Sequence, residues 1–282
     1  MPCAEKIRLL ALDMDGTLLT SDGKITEASR AAIRAAQAAG CAVVPATGRN
    51  YDDIPWEQLD GVALDYAVTT NGSAVYRVAD RACLAEQCLP CDLLTPVFAY
   101  LLQCGVYIDV FIDGRDYAPR ELFPLAEKLD MPEYIIRGIV HNRIPLDDVV
   151  EKLRNNALKI QKVTLNFWRD ETGRLHNREN VLRYLSGIDG ITVVDAGFGT
   201  LEFTLRGTSK ATGLQLLADT LGILMTAVMA IGDSGNDLEM LRAAGLSVAM
   251  GNAPAAIRAA ANATTATNDE DGVAAAIQRF IL

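Results

Sequence analysis

A short, mostly apolar run, Ile7 to Leu12, ends in two carboxylates one residue apart, Asp13 and Asp15, and Gly16 follows at once. A run of this length closed by a glycine-bearing loop reads as a buried parallel strand. In open α/β sheets the carboxyl ends of such strands are where ligands sit. Two like charges at one strand end repel unless a cation or a shared proton lies between them. Asp13 and Asp15 therefore ask for a metal ion, a protonated carboxyl, or both. The plainer alternative is a solvated strand end leading into a turn.

The same punctuation recurs along the chain. Cys41–Ala46 is a second short apolar segment and ends in Thr47-Gly48-Arg49; Ala67–Thr70 is a third and ends in Asn71-Gly72. Thr26 with Ser29 can cap a helix that runs to about Ala39, with Gly40 as its stop, and a short helix is expected around Asp53 to Leu59. This alternation predicts a parallel sheet with right-handed crossovers and three successive strand ends on one edge. The rhythm returns at Thr200. A strand at Leu201–Leu205 is followed by a helix opened by Thr208 or Ser209 and stopped by Gly222, and then by a strongly buried strand at Ala227–Ile231. The loop Gly232-Asp233-Ser234-Gly235-Asn236-Asp237 comes next, then a helix to Ala244, a strand at Leu246–Met250 and closing helices at Pro254–Ala261 and Gly272–Phe280.

Between these halves the pattern changes. Helices are expected at Asp92–Gln103, Pro119–Leu129, Leu146–Arg154 and Gly173–Leu185, and strands at Val106–Ile112, Lys159–Phe167 and Ile191–Asp195. Asp113-Gly114 reads as a hairpin turn; Asp113, Arg115 and Tyr117 there either face a ligand or simply close the hairpin. The expected fold class is α/β, a Rossmann-like doubly wound parallel sheet core formed by 1–82 and 191–282, with an inserted α/β cap domain at 83–190.

Charge narrows the partners. A formal net charge of −10 and a pI near 4.8 argue against nucleic acid and against an anionic membrane surface. A phosphorylated small molecule remains compatible, because a metal and a few placed cations offset the local field. No apolar stretch is long enough to span a bilayer, and Met1–Lys6 lacks a signal-peptide pattern, so a cytoplasmic protein is expected. Its six cysteines are then expected as free thiols. Cys88 and Cys91 form a lone C-x-x-C, and His141 and His176 are the only histidines available to complete a zinc site. Gly197-Phe198-Gly199 begins a G-x-G, but Glu202 stands where the third glycine belongs, so no dinucleotide site is expected.

The strand ends collect Asp13, Asp15, Thr47, Gly48, Lys210, Asp233, Asn236 and Asp237. Oxygen donors without His or thiolate suit Mg²⁺. An ammonium beside that ion can neutralise a phosphoryl group, whose transfer is mostly positioning and charge stabilisation. Backbone N–H groups of the glycine-rich loops can cradle phosphate oxygens. Asp13 can attack phosphorus as a carboxylate nucleophile, and Asp15 can protonate the departing oxygen and later deprotonate water.

This constellation resembles the haloacid dehalogenase superfamily of phosphohydrolases, with its four motifs in chain order. Asp13-Met14-Asp15-Gly16-Thr17 is similar to the D-x-D-G-T motif, Thr47 to the hydroxyl motif, Lys210 to the lysine motif and Gly232–Asp237 to the acidic motif. Thr47-Gly48-Arg49, Asn71-Gly72, Asn252-Ala253 and Asn268–Val273 resemble the Cof-type branch, whose α/β cap lies between the second and third motifs; Ala211 stands where branch members often have Gly. The resemblance implies Mg²⁺ held by Asp13, the Asp15 backbone carbonyl and Asp233, with Asp237 just behind. It implies phosphate held by Thr47, Gly48, Lys210 and Asn236, while Arg49 and Asn71 meet the substrate or the cap, or serve structure. The implied activity is Mg²⁺-dependent hydrolysis of small organic phosphate monoesters, such as sugar phosphates or phosphorylated cofactors, through an aspartyl-phosphate on Asp13. Phosphoryl transfer to a sugar and a non-catalytic aspartyl-phosphate signalling domain are the alternatives. The particular metabolite and the oligomeric state are not encoded in any motif.

Overall fold

The structure, a computed structural model, describes residues 6–196 and 199–282. Met1–Glu5, including Cys3, and Gly197-Phe198, where the G-x-G begins, lie outside the described residues. The chain divides into two compact units, Met1–Glu86 with Thr208–Leu282 and Gln87–Gly207.

The first unit opens with β1 (Leu9–Leu12) and β2 (Ala42–Pro45), then β3 (Tyr66–Thr69), β4 (Ala74–Arg77) and β5 (Ala82–Glu86). The second unit contributes β6 (Tyr107–Ile112), β7 (Arg115–Pro119), β8 (Ile144–Leu146), β9 (Ile160–Asn166), β10 (Ile191–Asp195) and β11 (Leu201–Leu205). The chain closes in the first unit with β12 (Val228–Gly232), β13 (Leu246–Ala249) and β14 (Ala263–Thr264).

The main sheet of the first unit has the order β14-β13-β12-β1-β2, every pair parallel. Both faces are covered, as continuous apolar strands require. Leu10 and Leu12 of β1 face Ile33 and Ala36 of the helix Glu27–Ala38 and Ala276 and Ile277 of the helix Gly272–Phe280. Leu9 and Ala11 face Leu214 and Leu217 of the helix Lys210–Leu221 and Met240 of the helix Leu238–Ala243. All four β1 side chains are buried, so truncating either leucine-bearing face to alanine would cost about 2–5 kcal/mol per side chain. The doubly wound α/β class expected from the sequence is thus the observed one. The caps are where the sequence puts them: the Thr26 hydroxyl accepts the Ser29 N–H, and Ser209 forms a capping box with Thr212.

The third expected strand behaves differently. β3 meets the main sheet only through an isolated parallel bridge, Ala46 to Val68, and otherwise forms an antiparallel meander with β4 and β5. The cause is the turn after it: Thr70, Asn71 and Gly72 all have positive φ and reverse the chain at once.

The second unit holds a six-stranded sheet, order β10-β11-β9-β6-β7-β8, antiparallel except for the β7–β8 pair. One face packs Ile108, Val110, Val163 and Phe203 against Phe98 of the helix Cys91–Leu101 and Val181 of the helix Arg178–Ser186. Residues 191–207, assigned to the core by the sequence rhythm, belong here, because β11 pairs with β9 on one side and β10 on the other. The segment expected as one helix over Pro119–Leu129 is instead the end of β7, a single tight turn and the short helix Phe123–Ala126. A helix at Glu133–Asn142 was not expected. Asp113 and Gly114 close the β6–β7 hairpin with positive φ at both positions, as a primed turn needs. The described cysteines form no disulfide, and the Cys91 thiol donates to the Leu158 carbonyl.

Candidate active site

Parallel pairing brings the strand ends level. Leu12 is in register with Ile231 on β12 and with Pro45 on β2, and the Asp13 N–H donates to the Ile231 carbonyl at 3.0 Å. Asp13, Asp233 and Thr47 therefore leave neighbouring strands at the same edge. Gly16 lets the first loop pass close to the third: its φ is +78°, and a Cβ there would lie 2.6 Å from Asp233 Oδ2. The Thr17 hydroxyl donates to Asp233 Oδ1 at 3.0 Å and fixes that carboxylate.

Lys210 is the first residue of its helix, placed by the Ser209 cap. Gly72 of the β3–β4 turn lies directly against that cap; a Cβ at Gly72 would stand 1.9 Å from the Ser209 carbonyl oxygen. The Lys210 side chain is fully buried and its Nζ donates to Asp13 Oδ1 at 2.5 Å and to Asp237 Oδ1 at 2.6 Å. Both Asp237 oxygens are engaged, since its Oδ2 also accepts the backbone N–H groups of Asp233 and Ser234 at 2.9 and 3.0 Å. It holds Lys210 on one side and the acidic loop on the other.

Carboxylate oxygens of Asp13, Asp233 and Asp237 lie within 4.8 Å of one another. If all three were ionised they would exceed the one Lys210 ammonium by two negative charges in a largely buried place. Burial pushes the Asp13 carboxyl well above its usual range, the Asp237 charge adds to the rise, and Lys210 opposes it only in part. Burial raises Asp233 as well, against the hydrogen bond from Thr17. For Lys210, burial alone would lower the pKa, but Asp13 and Asp237 outweigh it and the ammonium is held above its ordinary value. A divalent cation on hard oxygen donors would cancel the excess, so the donor set fits Mg²⁺. Asp13 and Asp233 are the residues that would hold it, because both Asp237 oxygens are engaged.

The remaining expected site residues surround this cluster. Asp15 is outside the three-carboxylate group; its side chain makes a two-point ion pair with Arg49, Nε to Oδ2 at 2.8 Å and Nη2 to Oδ1 at 2.7 Å. Arg49, expected to meet the substrate or the cap or to serve structure, here pairs with Asp15. Thr47 is fully buried and its hydroxyl accepts the Arg49 N–H at 3.1 Å. Asn236 donates to Asn71 Oδ1 at 3.1 Å, and a Cβ on Gly48 would lie 3.0 Å from the same oxygen. Gly48, Asn71 and Asn236 therefore converge. Asn252 and Asn268 have roles the sequence did not assign. Asn252 donates to the Gly16 carbonyl and accepts the Asn268 N–H, while the Asn268 amide donates to the Leu19 carbonyl, so the two brace the loop after Asp13. Their signal was present, as asparagines just beyond the end of β13 and in the tight turn before the last helix.

Residues 10–277 match the haloacid dehalogenase-like hydrolase family. The chain belongs to that family. Within it the chain is a phosphatase of the Cof-type branch. A putative phosphatase of Bacillus subtilis (strain 168), YxeH, is 31% identical over 284 aligned residues covering 98% of both chains. The 5-amino-6-(5-phospho-D-ribitylamino)uracil phosphatase YitU of the same strain is 30% identical over 96% of this chain and 97% of its own. Among solved structures, the superfamily phosphatase BT1666 from Bacteroides thetaiotaomicron superposes with a TM-score of 0.79 at 27% identity, covering 99% of this chain and 97% of that one. The subclass IIB sugar phosphatase BT4131 gives 0.76 at 25% identity, over 98% and 100%. No helix among the described residues is long and apolar enough to cross a membrane.

Proposed function

We propose that this haloacid dehalogenase-family phosphatase hydrolyses small organic phosphate monoesters with Mg²⁺, through an aspartyl-phosphate on Asp13. The observation that carries this reading is the buried bridge from Lys210 Nζ to Asp13 and Asp237, which joins residues 197 positions apart around one point. A phosphate ester on a polyhydroxylated carbon chain is the favoured substrate class, since two relatives are named for a phosphoribityl compound and for sugar phosphates. The domains follow the same reading, with the Gln87–Gly207 unit as the cap.

In the first half-reaction an Asp13 carboxylate oxygen attacks phosphorus and the ester P–O bond breaks. The electron pair leaves on the ester oxygen, which takes a proton from Asp15. In the second, a water oxygen attacks phosphorus, its proton passes to Asp15, and the P–Oδ bond breaks with its electron pair returning to Asp13. Lys210 holds Asp13 in place and faces the transferring group with positive charge, while Thr47, Gly48 and Asn236 hold its oxygens. Mg²⁺, when bound, supplies further positive charge to those oxygens.

Asp13→Asn tests the nucleophile. Turnover of p-nitrophenyl phosphate with Mg²⁺ present is expected to vanish, and retained turnover would remove Asp13 from that role. Asp15→Asn should accumulate acid-stable, hydroxylamine-sensitive phosphate on the protein. A burst of bound phosphate without turnover in the unmodified protein would instead favour a signalling domain. Turnover that requires an added sugar acceptor would favour a transferase.

A further inference from the structure

We propose that Arg49 acts as a positioning residue for Asp15, setting where its carboxylate stands when the ester oxygen departs; this rests on the acid–base role given to Asp15 above. The guanidinium grips both oxygens of Asp15 at 2.8 and 2.7 Å, and its third engaged nitrogen, Nη1, donates to the Asp53 carbonyl at 2.8 Å. Asp53 is itself fixed. Its N–H donates to Asn50 Oδ1 at 2.8 Å, and Asn50 Nδ2 donates to Asp53 Oδ2 at 2.9 Å. Asn50 is 1% exposed, so this brace is anchored in the body of the unit. The Arg49 backbone is held too, its N–H by the Thr47 hydroxyl and its carbonyl by the Thr70 N–H. Arg49 is therefore a rigid strut from a turn anchored on buried Asn50 to a carboxylate whose side chain is 61% exposed.

Magnitudes favour geometry over stability as the reason for the strut. An ion pair this exposed adds about 0–1 kcal/mol to folding. A displacement of about 1 Å in a group that transfers a proton can cost about 100-fold in rate. An exposed Asp on a glycine-bearing loop has several rotamers open to it, and the planar fork of an arginine selects one. A lysine offers a single point of contact and leaves the carboxylate free to turn.

The test compares kcat/KM, which reports the steps through release of the alcohol, for an alkyl phosphate and for p-nitrophenyl phosphate. The alkyl oxygen must be protonated to leave, and p-nitrophenolate needs no proton. Arg49→Ala is expected to lose about 100-fold on the alkyl ester and far less on the aryl ester. Combined with Asp15→Asn it should add no further loss on the alkyl ester, because both changes remove one function. Arg49→Lys should show the same selective loss as Arg49→Ala, and it serves as the second variant should the alanine form fail to fold by circular dichroism. Equal losses on both esters that multiply with those of Asp15→Asn would overturn the proposal and make Arg49 a phosphate ligand. A selective loss in Asp15→Asn without one in either Arg49 variant would overturn it alone. No selective loss in Asp15→Asn would overturn the acid assignment, and this proposal with it.

Discussion

Each unit buries a group of charges, and the two groups are built from different parts of their sheets. In the first unit Asp13, Asp233 and Asp237 come from strand ends and the loop beyond, and Lys210 from the start of a helix. In the second, Asp109, Asp116, Lys162 and Glu202 lie inside strands, and Arg143 reaches the two aspartates from the residue after a helix. Arg143 donates to Asp109 at 2.7 Å and lies 2.7 Å from Asp116; Asn166 takes the other Asp109 oxygen at 2.8 Å. Lys162 pairs with Glu202 at 2.7 Å and sits over the Phe111 ring. Charges within strands are cross-strand ties, here three carboxylates held by two cations. Charges at strand ends, once all ionised, exceed their counter-ion by two and retain oxygens for something from outside. The same residue types therefore tie strands together in one place and, on the function proposed above, would form the reactive centre in the other.

The largest effects that can break this contrast come from removing each central cation. Lys210→Met and Arg143→Met should each cost about 3–5 kcal/mol in urea unfolding, because each strands buried carboxylates without their partner. Mg²⁺ should restore part of the loss in Lys210→Met, since positive charge can enter that cluster from solution. It should restore nothing in Arg143→Met. Equal recovery in both variants, or none in the first, would erase the distinction between a tie and a site.

Smaller than these is the stabilisation of the unaltered protein by the ion itself. An excess of two negative charges relieved on binding should raise unfolding stability by about 2.7 kcal/mol at a Mg²⁺ concentration 100 times its Kd. Asp233→Asn should remove most of that gain while leaving the Thr17 hydroxyl a neutral acceptor to bond. A thermal melt with and without Mg²⁺ reads both. An undiminished gain in Asp233→Asn would place the ion elsewhere than at Asp13 and Asp233.

What could be read beforehand follows the range of the forces involved. Apolar runs closed by glycine mark the ends of β1, β2 and β12, so Asp13, Thr47 and Asp233 were legible, and the Ser209 cap placed Lys210. The helix Glu133–Asn142 was not read, although Ile136, Ile139 and Val140 recur at helical spacing. Three features lie beyond local pattern. Left-handed backbone at Thr70 carries no composition signal, yet it turns β3 away from the main sheet. The alternation of β11 fits either sheet, and only its pairing with β9 decides. Arg49 and Asp15 stand 34 positions apart, and nothing in either loop announces the other.

The smallest effect is a proton count, and its sign discriminates sharply. Burial and neighbouring carboxylates raise the pKa of Asp13 and of Asp233 above the ordinary aspartate value. A raised folded-state pKa means that the metal-free protein keeps protons the unfolded chain has already released. Its stability from these groups is therefore greatest at low pH and falls as pH climbs through the raised values. A cation binds the ionised oxygens, so Mg²⁺ binding should expel up to one proton from each carboxyl, most at acidic pH and none well above both pKa values. Calorimetry in two buffers of different ionisation heat measures the release. Asp233→Asn should expel fewer protons than the unaltered protein, and Arg143→Met the same number. Release that grows with pH, or that shifts in Arg143→Met, would mean that the titrating carboxylates belong to the scaffold group and not to the strand ends.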